Sequence, residues 1–138
     1  MAEQTVNLAV GDTLPELTLP PVTRTTLALF AGASGDHNPI HIDIDFARKA
    51  GMPDVFAHGM LSMAWLGRFL TAWRPQSQLR NWSVRFLGIT HLGDRMTCSG
   101  RVVELFEEGG EQRAKLEIQT SNQNGEVKIA GDAVVSLS

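Results

Sequence analysis

The sequence predicts an α+β domain in which an antiparallel sheet wraps around one long central helix. Two observations carry that expectation. From His58 to Trp73 apolar residues occupy most of the helical circumference (Met60, Leu61, Met63, Ala64, Trp65, Leu66, Phe69, Leu70), and a helix of that kind belongs inside something. After Arg74-Pro75 the pattern changes to period two and keeps it to the C-terminus, with hairpin signals between the runs. The chain has 138 residues, 43% of them apolar and 20% charged, so one domain over 1–138 with a sizeable core is expected.

Taken in order, Val10-Gly11-Asp12 reads as a turn into a first strand, Leu14 to Leu19. Pro15, Pro20 and Pro21 demote it to an edge strand or an irregular lead-in. Thr23 can cap a helix over Arg24 to Ala33, where Leu27, Phe30 and Ala31 share a face, and Ser34-Gly35 ends it. Asp43 can cap a short helix, Ile44 to Ala50, that stops at Gly51. Met52 to Phe56 is a loop turning at Pro53-Asp54. The main helix comes next, about 24 Å long at ~1.5 Å per residue. Trp82, Val84 and Phe86 then alternate with Ser83, Arg85 and Leu87, which predicts a strand from about Arg80 to His91. Further strands are expected over Met96 to Phe106, Arg113 to Ser121 and Glu126 to Leu137. Glu108-Gly109-Gly110 and Asn124-Gly125 supply the hairpins of a four-stranded meander.

The residues that carry chemistry sit outside these elements. Ser34-Gly35-Asp36-His37-Asn38-Pro39-Ile40-His41 puts a carboxylate and an imidazole on a short, stiff, non-helical loop. Pro39 fixes its own φ and pushes Asn38 toward extended geometry, so no helix runs through. Gly35 permits a backbone conformation closed to other residues. Ala57-His58-Gly59-Met60-Leu61 then opens the apolar helix, whose N-terminal N–H groups can hold an oxygen that becomes negative. A base, an imidazole and an oxyanion donor form the minimal kit for adding water across a double bond conjugated to a carbonyl. Alone, Asp36 reads as a turn residue and His41 as a hydrogen-bonded loop histidine; the joint motif is what points to catalysis.

Other candidates weigh less. His37 and His41 form H-x-x-x-H, but Pro39 interrupts the helix that would put both on one face and no third ligand stands out, so no metal is expected. His58 reads as a capping or structural residue. Ser62, outside any G-x-S-x-G setting, is expected to bond the backbone. Met60, Met63, Trp65, Leu66 and Phe69 are expected to be mainly core, with a subset such as Met60 and Met63 lining an apolar tunnel, since methionine and aromatics make adaptable walls. Arg85 and Arg95 could pair with phosphates, with surface solvation as the plainer role. Cys98 is expected to be a buried strand residue.

Composition narrows the function classes. A net charge of −3 without a lysine or arginine cluster argues against nucleic acid as a partner. The stretch from Ala57 to Trp73 is broken by His58, Ser62, Arg68 and Thr71 and falls short of a membrane span. A single cysteine excludes an internal disulfide, and the polar stretch Met1 to Ala9 lacks a targeting pattern, so a cytoplasmic protein is expected.

The run S-G-D-x-N-P-I-H, then A-H-G-M-L, then a sheet opening with V-R-F, resembles the MaoC-like family of (R)-specific enoyl-CoA hydratases and (R)-3-hydroxyacyl-thioester dehydratases. The resemblance extends from about Gly11 to the C-terminus. It implies a hot-dog fold, with Asp36 and His41 as catalytic dyad, the Gly59 backbone N–H as oxyanion donor, and Asn38 holding the loop and the water. It implies no cofactor, with CoA or phosphopantetheine entering as part of the substrate. Position 37 is often apolar in such proteins and is His37 here. A non-catalytic hot-dog subunit and a thioesterase of the same fold are the competing functions; retention of both Asp36 and His41 counts against the first. A sheet curled about one helix leaves unpaired edges, so a homodimer, or a heterodimer with a related subunit, is expected.

Overall fold

The computed structural model describes residues 7–137. Residues 1–6, and with them most of the polar stretch Met1 to Ala9, lie outside the described residues, as does residue 138. The elements in chain order are β1 (Leu17–Thr18), α1 (Arg24–Ser34), a 3-10 turn (Pro39–His41), α2 (Ile44–Lys49) and α3 (Gly59–Trp73). A second 3-10 turn (Gln76–Gln78) leads into β2 (Leu79–Phe86), β3 (Thr97–Glu108), β4 (Glu111–Ser121) and β5 (Val127–Ser136). No helix among the described residues is long and apolar enough to cross a membrane.

Local chemistry accounts for the boundaries. The Thr23 hydroxyl accepts from the Thr26 amide at 3.2 Å, and Gly35, at φ 76°, closes α1 in the left-handed region. Asp43 caps α2 by accepting from the Asp45 and Phe46 amides at 2.9 and 3.3 Å. Gly109 and Gly110, at φ 60° and 77°, form the two-residue turn between the paired Glu108 and Glu111. The Asn124-Gly125 signal falls in the β4–β5 connection, where the Asn122 carboxamide oxygen accepts from the Asn124 and Glu126 amides, each at 3.0 Å.

The five strands run in the order β1-β3-β4-β5-β2, all neighbours antiparallel. Only β3, β4 and β5 form a meander. The expected four-stranded meander is corrected in that β2 lies beside β5, and the strand expected to reach His91 ends at Phe86. The cause lies in the segment between Phe86 and β3. Thr90 O accepts from the Ala57 amide at 2.9 Å, His91 forms a bridge with Phe56, and the Gly93 amide donates to Val22 O at 2.8 Å. These bonds draw the connection beneath the start of α3 and return the chain at the far side of the sheet.

Trp82, Val84 and Phe86 share the inner face with Leu116, Ile118, Ile129 and Ala133, following the strand register. At Gly131 a Cβ would lie 1.9 Å from Ser83 O, so β2 and β5 approach this closely only over a glycine. The inner face packs on Leu66, Phe69 and Leu70 of α3. Each fully buried leucine of this kind contributes about 1.5–3 kcal/mol. At the sheet's end Arg80 and Arg113 both donate to Glu111, holding its carboxyl down to about 2 and tying β2 to the β3–β4 hairpin. A second cluster, Val22, Leu27, Ala47, Val55, Ala57 and Leu61, lies beneath α1, α2 and the approach to α3. This smaller core carries the loop between α1 and α2, and with it the candidate site.

Candidate active site

The loop after α1 is a ladder of side-chain-to-backbone bonds two residues apart. The Ser34 hydroxyl accepts from the Asp36 amide at 3.2 Å, the Asp36 carboxylate from the Asn38 amide at 3.2 Å, and the Asn38 carboxamide from the Ile40 amide at 3.1 Å. Such turns are what Ser, Asp and Asn offer in competition with helix. The loop is not wholly non-helical as expected: Asn38 caps one 3-10 turn, Pro39–His41, with Pro39 supplying a preset φ at its start. Asp36, His37 and Asn38 are exposed, whereas His41 is turned inward and is 9% exposed.

The His41 ring is fixed on two sides. Its Nδ1–H donates to Phe56 O at 2.7 Å, which leaves the lone pair of the neutral ring on Nε2. Its face stacks on His58 with centroids 3.9 Å apart and an interplanar angle of 27°. His58 occupies the N-cap position of α3 but makes no side-chain cap bond, so of the capping and structural roles expected for it the structural one holds. It is 1% exposed, its Nε2–H donates to Asp36 O at 3.1 Å, and the edge of Phe30 meets it at 4.9 Å. Burial pushes the His58 imidazole below its usual pKa, with the Asp36 carbonyl opposing that shift and a charge on His41 adding to it. A carboxylate oxygen of Asp36 and one ring nitrogen each of His41 and His58 lie within 4.8 Å of one another.

Those three side chains are the types that bind a metal, and two of their rings are stacked face to face. Each ring also commits one nitrogen to a backbone carbonyl. The arrangement suits holding and moving a proton.

Gly59, the first residue of α3, has an N–H with no intrahelical acceptor. A Cβ there would lie 2.9 Å from the Phe86 ring, so glycine is what lets Phe86 sit against the start of the helix. Beside Asp36 opens an apolar cleft of about 400 Å³. Met60, Met63 and Ala64 of α3, Phe30 and Ser34 of α1, and Trp82 of β2 line it. The structure thus brings Asp36, His41, Met60 and Met63 to one locality, with Gly59 adjacent. Arg85 is not among them. It pairs with Ala130 on the outer face of the sheet and lines a separate concavity of about 600 Å³ there with Lys115, Glu117 and Asp132. Arg95 is exposed at the start of the segment leading into β3.

Ser62 is buried and bonds the Thr90 hydroxyl at 3.5 Å, a side-chain contact in place of the expected backbone one. Cys98 is buried in β3 as expected, and burial pushes its thiol up to about 12. His58 is the site residue that sequence reasoning undervalued; its one signal is an imidazole where a capping Ser or Asp usually stands.

Comparison with known proteins gives concordant results. The MaoC like domain pattern matches residues 8–125. A mitochondrial 3-hydroxyacyl-[acyl-carrier-protein] dehydratase of Arabidopsis thaliana is 30% identical over 94% of this chain and 78% of its own length. An (R)-specific enoyl-CoA hydratase of Rhodospirillum rubrum is 30% identical over 84% of this chain and 80% of its own. Among solved structures, the (R)-hydratase from A. caviae involved in PHA biosynthesis superposes with a TM-score of 0.84. It is 28% identical, with 97% of this chain and all of that one covered, and it shares the hot-dog architecture of a curled sheet on a central helix.

Proposed function

The chain belongs to the MaoC-like hydratase and dehydratase family, and from that premise we propose that it reversibly hydrates trans-2-enoyl thioesters to (R)-3-hydroxyacyl thioesters. The observation that carries this reading is the approach, within 4.8 Å, of the Asp36 carboxylate and a His41 ring nitrogen at the mouth of an apolar cleft. One water fits between groups at that separation and can hydrogen-bond to both.

Asp36, ionised, and His41, through the lone pair on Nε2, hold the water from two sides. Its oxygen bonds to Cβ of the alkene as the pair takes a proton from it. The π electrons move toward the thioester carbonyl, whose oxygen becomes an enolate that the Gly59 N–H stabilises. A proton returned by the pair to Cα completes the addition, so no oxidant or further reactant is needed. Positioned acid–base groups contribute ~10²–10⁴-fold. One oxyanion donor contributes about 10²–10³-fold. Asn38 keeps the loop in shape through its bond to the Ile40 amide. Met60 and Met63 receive the acyl chain, and the carrier is CoA or acyl carrier protein. Arg85 lies outside this cleft, which favours surface solvation for it.

The reading includes a homodimer, or a heterodimer with a related hot-dog chain, because β2 is paired on one side only. It also includes a cytoplasmic setting, where the lone thiol of Cys98 stays reduced. The test is to incubate the protein with crotonyl-CoA and follow both the conjugated alkene absorbance and free thiol. Loss of absorbance without thiol supports hydration. Thiol release would instead make the protein a thioesterase, and no change in either signal on any enoyl thioester would leave a non-catalytic subunit.

A further inference from the structure

The cleft beside Asp36 has a far wall that the addition of water does not use. Phe86 stands against Gly59 at the head of α3, and four residues earlier in β2 Trp82 stands against Gly67: a Cβ on Gly67 would meet the indole Cη2 at 2.9 Å. Helix and strand therefore run alongside each other in opposite senses, and the cleft lies along them from Asp36 to Trp82. We propose that Trp82 is the end wall of the acyl cleft and restricts the protein to short-chain enoyl thioesters, an inference that rests on the hydratase reading above.

Dimensions favour a short chain. Eight residues of α3 separate Gly59 from Gly67, about 12 Å at ~1.5 Å each, and subtracting the indole leaves room for on the order of six carbons. The glycine at 67 is what seats the ring so deeply, because any side chain there would push the indole away from the helix. What the indole contributes is bulk. Its Nε1–H is buried with no hydrogen-bond partner among the described residues, an arrangement that costs stability where a phenylalanine would not. Between the dyad and this wall the cleft is lined by Met60, Met63 and Ala64, flexible or small side chains that set no limit of their own.

The experiment compares wild type, Trp82→Leu and Trp82→Phe on crotonyl-, hexenoyl-, octenoyl- and dodecenoyl-CoA. The readout is the ratio of kcat/KM for dodecenoyl-CoA to that for crotonyl-CoA. Binding of butyryl- and dodecanoyl-CoA is read in parallel by calorimetry. The ratio should lie well below one in wild type and rise at least about tenfold in Trp82→Leu, the scale expected when a pocket admits added methylenes. Trp82→Phe should fall between, and it carries the test if the leucine variant does not fold. A ratio that is unchanged in the folded variants, or a wild type indifferent to chain length, overturns the proposal. If no thioester is hydrated, a length preference in binding that relaxes in the variants keeps the wall and removes the hydratase reading. Absence of any length preference in binding removes the wall.

Discussion

Two imidazoles stacked 3.9 Å apart repel one another if both are charged. Burial is the larger reason that His58 resists protonation, and the charge that His41 would carry adds to it. The unfolded chain accepts a proton there near the ordinary imidazole value of ~6.5, whereas the folded ring does so only at lower pH. His58 therefore adds stability above that value and withdraws it as the pH falls toward its folded pKa. In His58→Gln the decline of Tm between about pH 7 and about pH 5 should be shallower than in wild type. Because the stacked ring also aligns His41, kcat in that variant should drop by about 10–100-fold while KM moves less. Parallel Tm profiles together with unchanged kcat would contradict both roles. The stiff bend from Ser34 to His41 was legible in the sequence from Gly35 and Pro39, while the ladder of bonds that shapes it was not. The His58 contact was not, since it joins a ring to a backbone carbonyl 22 residues away.

At the scale of elements, β2 is the longer of the two edge strands of the sheet, the other being the two-residue β1. It pairs with β5 on one side, and its other row of backbone groups has no strand beside it among the described residues. Phe86, Leu87 and Ile89 at its end are exposed, as is Met60 at the head of α3. An open edge continued by apolar side chains is the surface on which the proposed dimer would pair. Light scattering at micromolar concentration should give twice the chain's 15.1 kDa, and a monomeric mass would contradict the edge-pairing argument. The elements themselves were readable from periodicity and punctuation: Thr23 and Asp43 cap where expected, and Gly109-Gly110 turns the chain where expected. The strand order was not, because tight-turn signals specify only the β3–β4 and β4–β5 neighbours. The partner of β2 depends on bonds such as Ala57 N–H to Thr90 O, between segments far apart in the sequence.

For the whole molecule, two cores divide the work. The larger joins α3 to the sheet and makes the fold, while the smaller holds the loop of Asp36 and His41 over the head of α3. Apolar periodicity announced the first. The second gathers Val22, Leu27, Ala47, Val55, Ala57 and Leu61 from short segments that show no period in common. The proposed site depends on both, because the loop brings Asp36 and His41 while the helix brings the Gly59 amide and the cleft. Steady-state hydration of crotonyl-CoA by Asp36→Asn and by His41→Ala, with circular dichroism of each, tests that division most directly. Each variant should retain the wild-type spectrum and lose at least about 10²-fold in kcat. Near-normal turnover in either folded variant would show that the water is activated elsewhere.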